Sequence, residues 1–279
     1  MNAAGDPSAR SGAPATSTAF ATSAPEEPAG HGLLVGKVVV VTAAAGTGIG
    51  FATARRCCEE GAVVVVSDTH ERRLSEAADE LGELYGGRPL AVPCDVTVED
   101  QVQGLYQAAL AEHGKVDVAV NNAGLGGTVD LVDMTDDQWR AVTEVTLTGT
   151  MRCTRAALRL MYEQGRGVVV NNASVLGWRA QAGQSHYAAA KAGVMALTRC
   201  AAAEAWSHGV RVNAVSPSLA MHPFLNRVIP DDELERLRAG ELSGRSSETW
   251  EVANVIVFLA SDYSSYMSGE VVSVSSQHP

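Results

Sequence analysis

Ser174, Tyr187 thirteen positions later and Lys191 four beyond that are the residues of this chain whose types and spacing best suit chemistry. Tyr187-Ala-Ala-Ala-Lys191 lies in an alanine-rich, helix-forming run. Residues four apart share one helical face, so the phenol and the ammonium can point into one site. A free phenol titrates near pH ~10, and a neighbouring ammonium favours the phenolate, moving the group toward acid-base work at neutral pH. The chemistry implied is proton transfer to or from an oxygen. Taken alone, a Tyr-x-x-x-Lys pair also reads as a surface contact worth a few tenths of a kcal/mol, so the surroundings must decide.

Those surroundings alternate strand and helix from Lys37 onward. Apolar, β-branched runs at Val38 to Val41, Ala62 to Val66, Leu90 to Val92, Val116 to Val120, Gly167 to Asn171, Val210 to Val215 and Val271 to Val274 read as seven strands. Helical patterns separate them: one after Gly48, one through Leu74 and Leu81, one around Val102 to Ala111 and a long one from Asp136 toward Met161. The Tyr187 helix and one through Val252 to Leu259 follow. This alternation predicts a single α/β domain, a doubly wound Rossmann-type fold with a seven-stranded parallel sheet and helices on both faces.

Between the first strand and its helix stands Thr42-Ala43-Ala44-Ala45-Gly46-Thr47-Gly48-Ile49-Gly50. Glycines at such a turn let backbone approach a pyrophosphate, and the following helix offers free N–H groups and a partial positive charge. Eighteen residues past Gly50 the second strand ends at Asp68. A carboxylate there can accept both hydrogen bonds from an adenosine ribose diol and repels a 2′-phosphate, which favours NAD over NADP. Arg72 and Arg73 could offset part of that repulsion, and Asp68 also suits a helix cap.

Several motifs in register resemble the short-chain dehydrogenase/reductase family from about Lys37 to Val274. Asp95-Val96 resembles its adenine-contacting pair, Asn121-Asn122-Ala123-Gly124 its fourth-strand signature, and Arg211 to Pro217 the strand and turn beside the nicotinamide. The resemblance implies that Tyr187 exchanges a proton with the substrate oxygen, that Ser174 holds that oxygen, and that Lys191 bonds the nicotinamide ribose and depresses the phenol's pKa. It implies cofactor contacts from Gly48, Ile49, Gly50, Asp68, Asp95, Val96, Asn122, Tyr187, Lys191 and Pro217, and a homotetramer. Three departures stand out. The glycine turn is one residue longer than the family's, with Ala43 or Ala44 where its first glycine belongs. Thr146 replaces an asparagine that organises a water relay, and Pro217-Ser218 with the ending Ser275-Ser276-Gln277-His278-Pro279 replaces Pro-Gly and Asp-Gly-Gly turns.

Substrate contacts are expected from Leu125 to Thr128, Val175 to His186 and a lid over about 219–244, beyond the C-terminal strand ends. Leu176, Trp178, Met221 and Phe224 are bulky and apolar, so a hydrophobic or alicyclic secondary alcohol or ketone fits better than a sugar; the same residues could simply pack the lid. His186 and His222 read as polar walls of the cleft. The stretch Asn171 to Gln181 and the C-terminal ending are similar to a bacterial subgroup acting on methyl-indanone carboxyl-CoA in steroid-ring breakdown, in which Arg179 would meet a carboxylate or CoA phosphate.

Composition narrows the alternatives. A formal charge of −11 on 279 residues, with scattered Lys and Arg, argues against a nucleic-acid surface. No apolar run approaches the roughly 20 residues that cross a bilayer. Cys57, Cys58, Cys94, Cys153 and Cys200 form neither a C-x-x-C nor a disulfide framework, and no histidine falls at ligand spacing, so a cytoplasmic chain without a metal is expected. Residues 1–31, rich in Ala, Ser, Thr, Pro and Gly, read as a disordered arm ahead of a catalytic domain over 32–279. Two other functions remain open on these residues: a 3-oxoacyl thioester reductase of fatty-acid type, and a non-catalytic NAD-binding sensor or scaffold.

Overall fold

The computed structural model describes residues 23–221 and 231–276. Among them, β1 (Val38–Thr42), β2 (Val63–Asp68), β3 (Leu90–Pro93), β4 (Val118–Asn121), β5 (Gly167–Asn172), β6 (Val210–Pro217) and β9 (Val271–Val274) form one sheet in the order β3-β2-β1-β4-β5-β6-β9. Every pairing in it is parallel. The expected seven-stranded doubly wound fold is what the chain adopts.

Why valine dominates these strands follows from their two buried faces. Val38 and Val40 join the core under α3 (Glu99–His113) and α5 (Thr150–Gln164), whereas Val39 and Val41 join the one under α1 (Ile49–Glu59), α2 (Glu71–Tyr85) and α8 (Thr249–Ala260). Strand side chains alternate between faces, so a sheet covered on both sides needs an unbroken apolar run. Each valine so buried is worth roughly 1.5 kcal/mol or more over leaving it in water.

The sheet order reverses between β1 and β4, and their C-terminal ends open the crevice where such folds take ligands. Here the long helix expected from Asp136 is not uniform. It runs as α4 (Asp136–Thr143), opened by a Thr135–Gln138 capping box, then a π-helical stretch over Glu144–Gly149, then α5. Gly149 in that stretch packs against the Val96 side chain, where a Cβ would come within 2.6 Å of Cγ2. The remaining elements are α6 (Ser185–Ala205), α7 (Asp231–Ala239) and a small two-stranded pair, β7 (Ala220–Met221) with β8 (Ser247–Glu248), at the base of the expected lid.

Residues ahead of 32 dock onto α1 and its C-terminal cap. Glu27 ion-pairs with Arg55 at 2.6 Å, and the Pro28 and Ala29 carbonyls accept from Arg56. Fully buried Glu60 accepts from the His31 and Leu33 N–H groups at 2.9 Å each. Small residues in this arm therefore dock through their backbone, which composition does not reveal; the expectation for residues 1–22 lies outside the described residues, as do His222, Phe224 and the last three positions. No helix among the described residues is long and apolar enough to cross a membrane.

Candidate active site

Ser174, Asn122 and Asp68 sit where strands end, and Tyr187 and Lys191 sit in the helix that follows β5. Ser174 follows β5 with extended backbone, and its hydroxyl accepts from the Leu176 N–H at 3.2 Å, which opens a short helical turn. Gly177 in that turn packs flush on α6, where a Cβ would meet Met195 at 2.6 Å. Tyr187 and Lys191 lie in the first turns of α6, and the Lys191 ammonium stands 5.5 Å from the Tyr187 ring centroid. Lys191 is 2% exposed and donates to the main-chain oxygen of Asn172 at 2.6 Å.

The electrostatics differ from the expectation. Burial raises the pKa of the Tyr187 phenol, and the nearby Ser174 hydroxyl pulls the other way. Burial also brings Lys191 down to about 8. Both shifts have one cause, since taking a charge out of water disfavours the ionised form of either group. A stronger pull of Lys191 on the phenol would need charge at closer range than the ring face.

Behind the lysine lies a chain of amides. Asn172 donates from its side chain to Asn122 Oδ1 at 2.8 Å, and Asn122 Nδ2 donates in turn to the Thr42 and Ala43 carbonyls at 3.2 Å. Thr42 Oγ1 accepts from the N–H groups of Asn122 and Ala123. Deeper in the sheet, Asn121 donates to Asn171 at 2.9 Å and to Thr154 at 3.0 Å, and Asn171 donates to Thr198. The sequence alone assigns Asn171 and Asn172 no role; two asparagines ending a buried strand are the signal, because such amides must find partners.

Thr146 also takes a definite part. Its hydroxyl accepts from the Leu125 N–H at 2.9 Å and donates to the Leu125 carbonyl at 3.0 Å. The hydroxyl thus fastens the loop after β4 to the π-helical stretch, and its single proton is committed there.

At the glycine turn, Ala43 has φ 51°, a left-handed conformation that favours glycine. Ala43 is therefore the position where the missing glycine would be at ease. Gly50 has no such freedom to lose: a Cβ there would collide with the Ala43 carbonyl oxygen and with Asn122. Gly48 caps α1 with no side-chain bond, and a Cβ at Gly46 or Gly48 would meet nothing within 4 Å. Bare N–H groups at a helix start suit a pyrophosphate. Ile49 meanwhile packs into the core beneath.

Asp68 ends β2 beside this turn, accepting from the Ala45 N–H at 3.3 Å and the His70 N–H at 3.0 Å. Burial raises its pKa against the Ala45 bond, the Arg73 charge and bonds from Thr69. Asp95 accepts from the Thr97 N–H and hydroxyl, Val96 is buried, and Pro217 closes β6 in register with Val274. Carboxylate, open turn and paired asparagines form a donor and acceptor set that fits a dinucleotide. Among the described residues no cluster of His, Cys, Asp or Glu could hold a metal ion.

On the substrate side, Leu176 is partly buried, Trp178 is 42% exposed, and Gly126 lies against the Tyr187 ring. Residues 43–276 match the family described as Enoyl-(Acyl carrier protein) reductase. A Mycobacterium tuberculosis protein, (5R,7aS)-5-hydroxy-7a-methyl-1-oxo-2,3,5,6,7,7a-hexahydro-1H-indene-carboxyl-CoA reductase, is 64% identical over 257 residues, 92% of this chain and 98% of that protein. Cis-4-hydroxycyclohexanecarboxylate dehydrogenase of Sinomonas cyclohexanicum is 43% identical over 85% of this chain and 94% of its own length. A crystal structure of a short chain dehydrogenase from Mycobacterium smegmatis superposes with a TM-score of 0.83 at 59% identity, covering 92% of this chain and 99% of that one.

Proposed function

The chain belongs to the short-chain dehydrogenase/reductase family of NAD(P)-dependent oxidoreductases, and on that footing we propose that it interconverts a secondary alcohol and a ketone carried on an alicyclic, steroid-derived, CoA-linked substrate, with NAD as cofactor. The observation that carries the reading is the convergence of Ser174, Tyr187 and Lys191 at the end of β5, with Lys191 fixed on Asn172 and 5.5 Å from the phenol ring.

Ser174 Oγ holds the substrate oxygen, and the Tyr187 phenol gives or takes its proton. Burial keeps that phenol protonated at neutral pH, which suits the direction in which it acts as an acid on a ketone. Lys191 stands behind it, its ammonium able to bond the nicotinamide ribose. Gly48, Ile49 and Gly50 would receive the pyrophosphate, Asp68 the adenosine ribose diol, Asp95 and Val96 the adenine, and Asn122 and Pro217 would flank the nicotinamide half. When bound, the nicotinamide supplies or accepts the hydride. Homo-oligomeric assembly, a cytoplasmic location and a lid over 219–244 belong to the same proposal.

Two of the named relatives act on a ring bearing both a hydroxyl and a carboxyl-derived group, which supports the alicyclic substrate. The reading is tested by comparing an indanone-type ring ketone CoA thioester with acetoacetyl-CoA, each with NADH and NADPH. Higher kcat/KM for the ring ketone with NADH is expected. Preference for acetoacetyl-CoA would favour the 3-oxoacyl thioester reductase, preference for NADPH would overturn the role of Asp68, and NAD binding without turnover would favour the sensor.

A further inference from the structure

His186 precedes Tyr187 in the first turn of α6 and is 2% exposed. Its Nδ1 accepts the Tyr187 N–H at 2.9 Å, satisfying one of the amides that a helix start leaves without a partner. An accepting Nδ1 bears no proton, so the neutral ring carries its proton on Nε2. That second nitrogen makes no hydrogen bond among the described residues. It faces the loop after β4, 3.5 Å from where a Cβ on Gly127 would stand. The neighbouring Gly126 faces the Tyr187 ring in the same way, at 3.8 Å. Two successive glycines therefore pass the imidazole and the phenol together, and neither adds a side chain over them.

Nε2 is not among the fully enclosed unpartnered atoms, so this N–H can still be reached, and next to an acid-base group the fitting acceptor is one that arrives with the substrate. We propose that His186 is a specificity residue whose Nε2–H donates to a second oxygen of the substrate, distinct from the oxygen handled by Tyr187. The proposal rests on the alcohol and ketone reading and narrows it. The preferred substrate carries a carbonyl, carboxylate or thioester oxygen in addition to the reacting one.

The test uses two isosteric variants of the full chain. His186→Asn keeps an acceptor for the Tyr187 N–H and loses the atom at the Nε2 position, while His186→Gln reaches that position with an amide N–H. Wild type is expected to favour 4-oxocyclohexanecarboxylate over cyclohexanone in kcat/KM by about tenfold, the scale of one well-placed hydrogen bond. His186→Asn should bring that ratio near one through KM, and His186→Gln should restore it. A ratio that survives in His186→Asn, or an equal loss on both ketones, overturns the proposal. Should wild type turn over neither ketone, the alcohol and ketone reading falls separately. Calorimetry of 4-hydroxycyclohexanecarboxylate binding then decides His186: tenfold weaker binding to His186→Asn sustains the role, and equal binding ends it.

Discussion

The Lys191 ammonium donates to the Asn172 carbonyl at 2.6 Å, and the side chain of the same Asn172 donates to Asn122, which grips the Thr42 and Ala43 carbonyls. One residue at the end of β5 thus couples the lysine of the candidate site to the turn at the end of β1. Three hydrogen-bonded links therefore join the glycine turn to Lys191. Losing the middle link should loosen both ends, so Asn122→Ala is expected to weaken NADH binding by about tenfold and to cost about 1–2 kcal/mol of stability. Fluorescence titration with NADH and denaturant unfolding check the two effects on one sample; an unchanged Kd would separate the turn from the amide chain.

Lys191 carries a folding cost that pH can expose. Its pKa falls from 10.5 to about 8 on folding because burial disfavours the ammonium. Below about 8 both states are protonated and the native chain bears the whole cost; between about 8 and 10.5 only the unfolded chain holds the proton, so stability rises with pH across that window. Lys191→Met removes the charge and leaves the Asn172 carbonyl without its donor, a net gain on the order of 2 kcal/mol at pH 7. The variant should melt higher than wild type at pH 7 without cofactor, with the gap closing toward pH 10. A gap that widens with pH would reverse the assigned direction.

Tyr187→Phe removes one oxygen from a ring whose packing stays the same. Loss of a general acid-base group costs about 10²–10⁴ in rate, so kcat should fall by about a thousandfold while the Kd for NADH changes little. Stopped-flow turnover with equilibrium titration distinguishes the two. A variant retaining a tenth of wild-type kcat would mean that the proton comes from elsewhere.

The strands were legible because their signal is local: Val38 to Val41 alternate between two buried faces, and only a sheet covered on both sides asks for that run. Ser174, Tyr187 and Lys191 were legible for a similar reason, one at a strand end and two on one helical face. Partnerships between distant residues were not. Asn172 meets Asn122 only because β4 and β5 align Asn121 with Asn171, and the Thr146 hydroxyl is committed to Leu125 only because the helix after β4 takes a π-helical turn there. The four-residue spacing places Lys191 beside Tyr187, yet the sign of the phenol's shift depends on burial, which four residues of sequence do not report.

Ala43 offers a gain in stability at the glycine turn. A non-glycine residue at φ 51° loses roughly 1–2 kcal/mol to contact between its Cβ and the backbone, and glycine gives back part of that through its more flexible unfolded state. Ala43→Gly should therefore stabilise the chain by about 0.5–1 kcal/mol, read as a higher denaturant midpoint at constant m-value. Destabilisation would show that the Asn122 bond to the Ala43 carbonyl already relieves the strain.

Glu60 ties the arm to α1 in a way that acid should undo. Its fully buried carboxylate accepts from His31 and Leu33 at 2.9 Å and pairs with Arg56 at 2.9 Å. Burial alone would raise its pKa, but the two backbone bonds and the Arg56 charge together hold it below the usual 4.5. A depressed carboxylate contributes stability that is complete above the unfolded value and is lost as pH falls through the folded one. Glu60→Gln keeps the size, halves the acceptors and leaves Arg56 without its fully buried partner, which should cost about 3 kcal/mol at pH 7. The deficit should shrink below pH 4.5, where wild type loses its own contribution. Urea melts of both proteins from pH 7 to pH 3.5 measure it, and a deficit independent of pH would show that Glu60 acts through packing rather than charge.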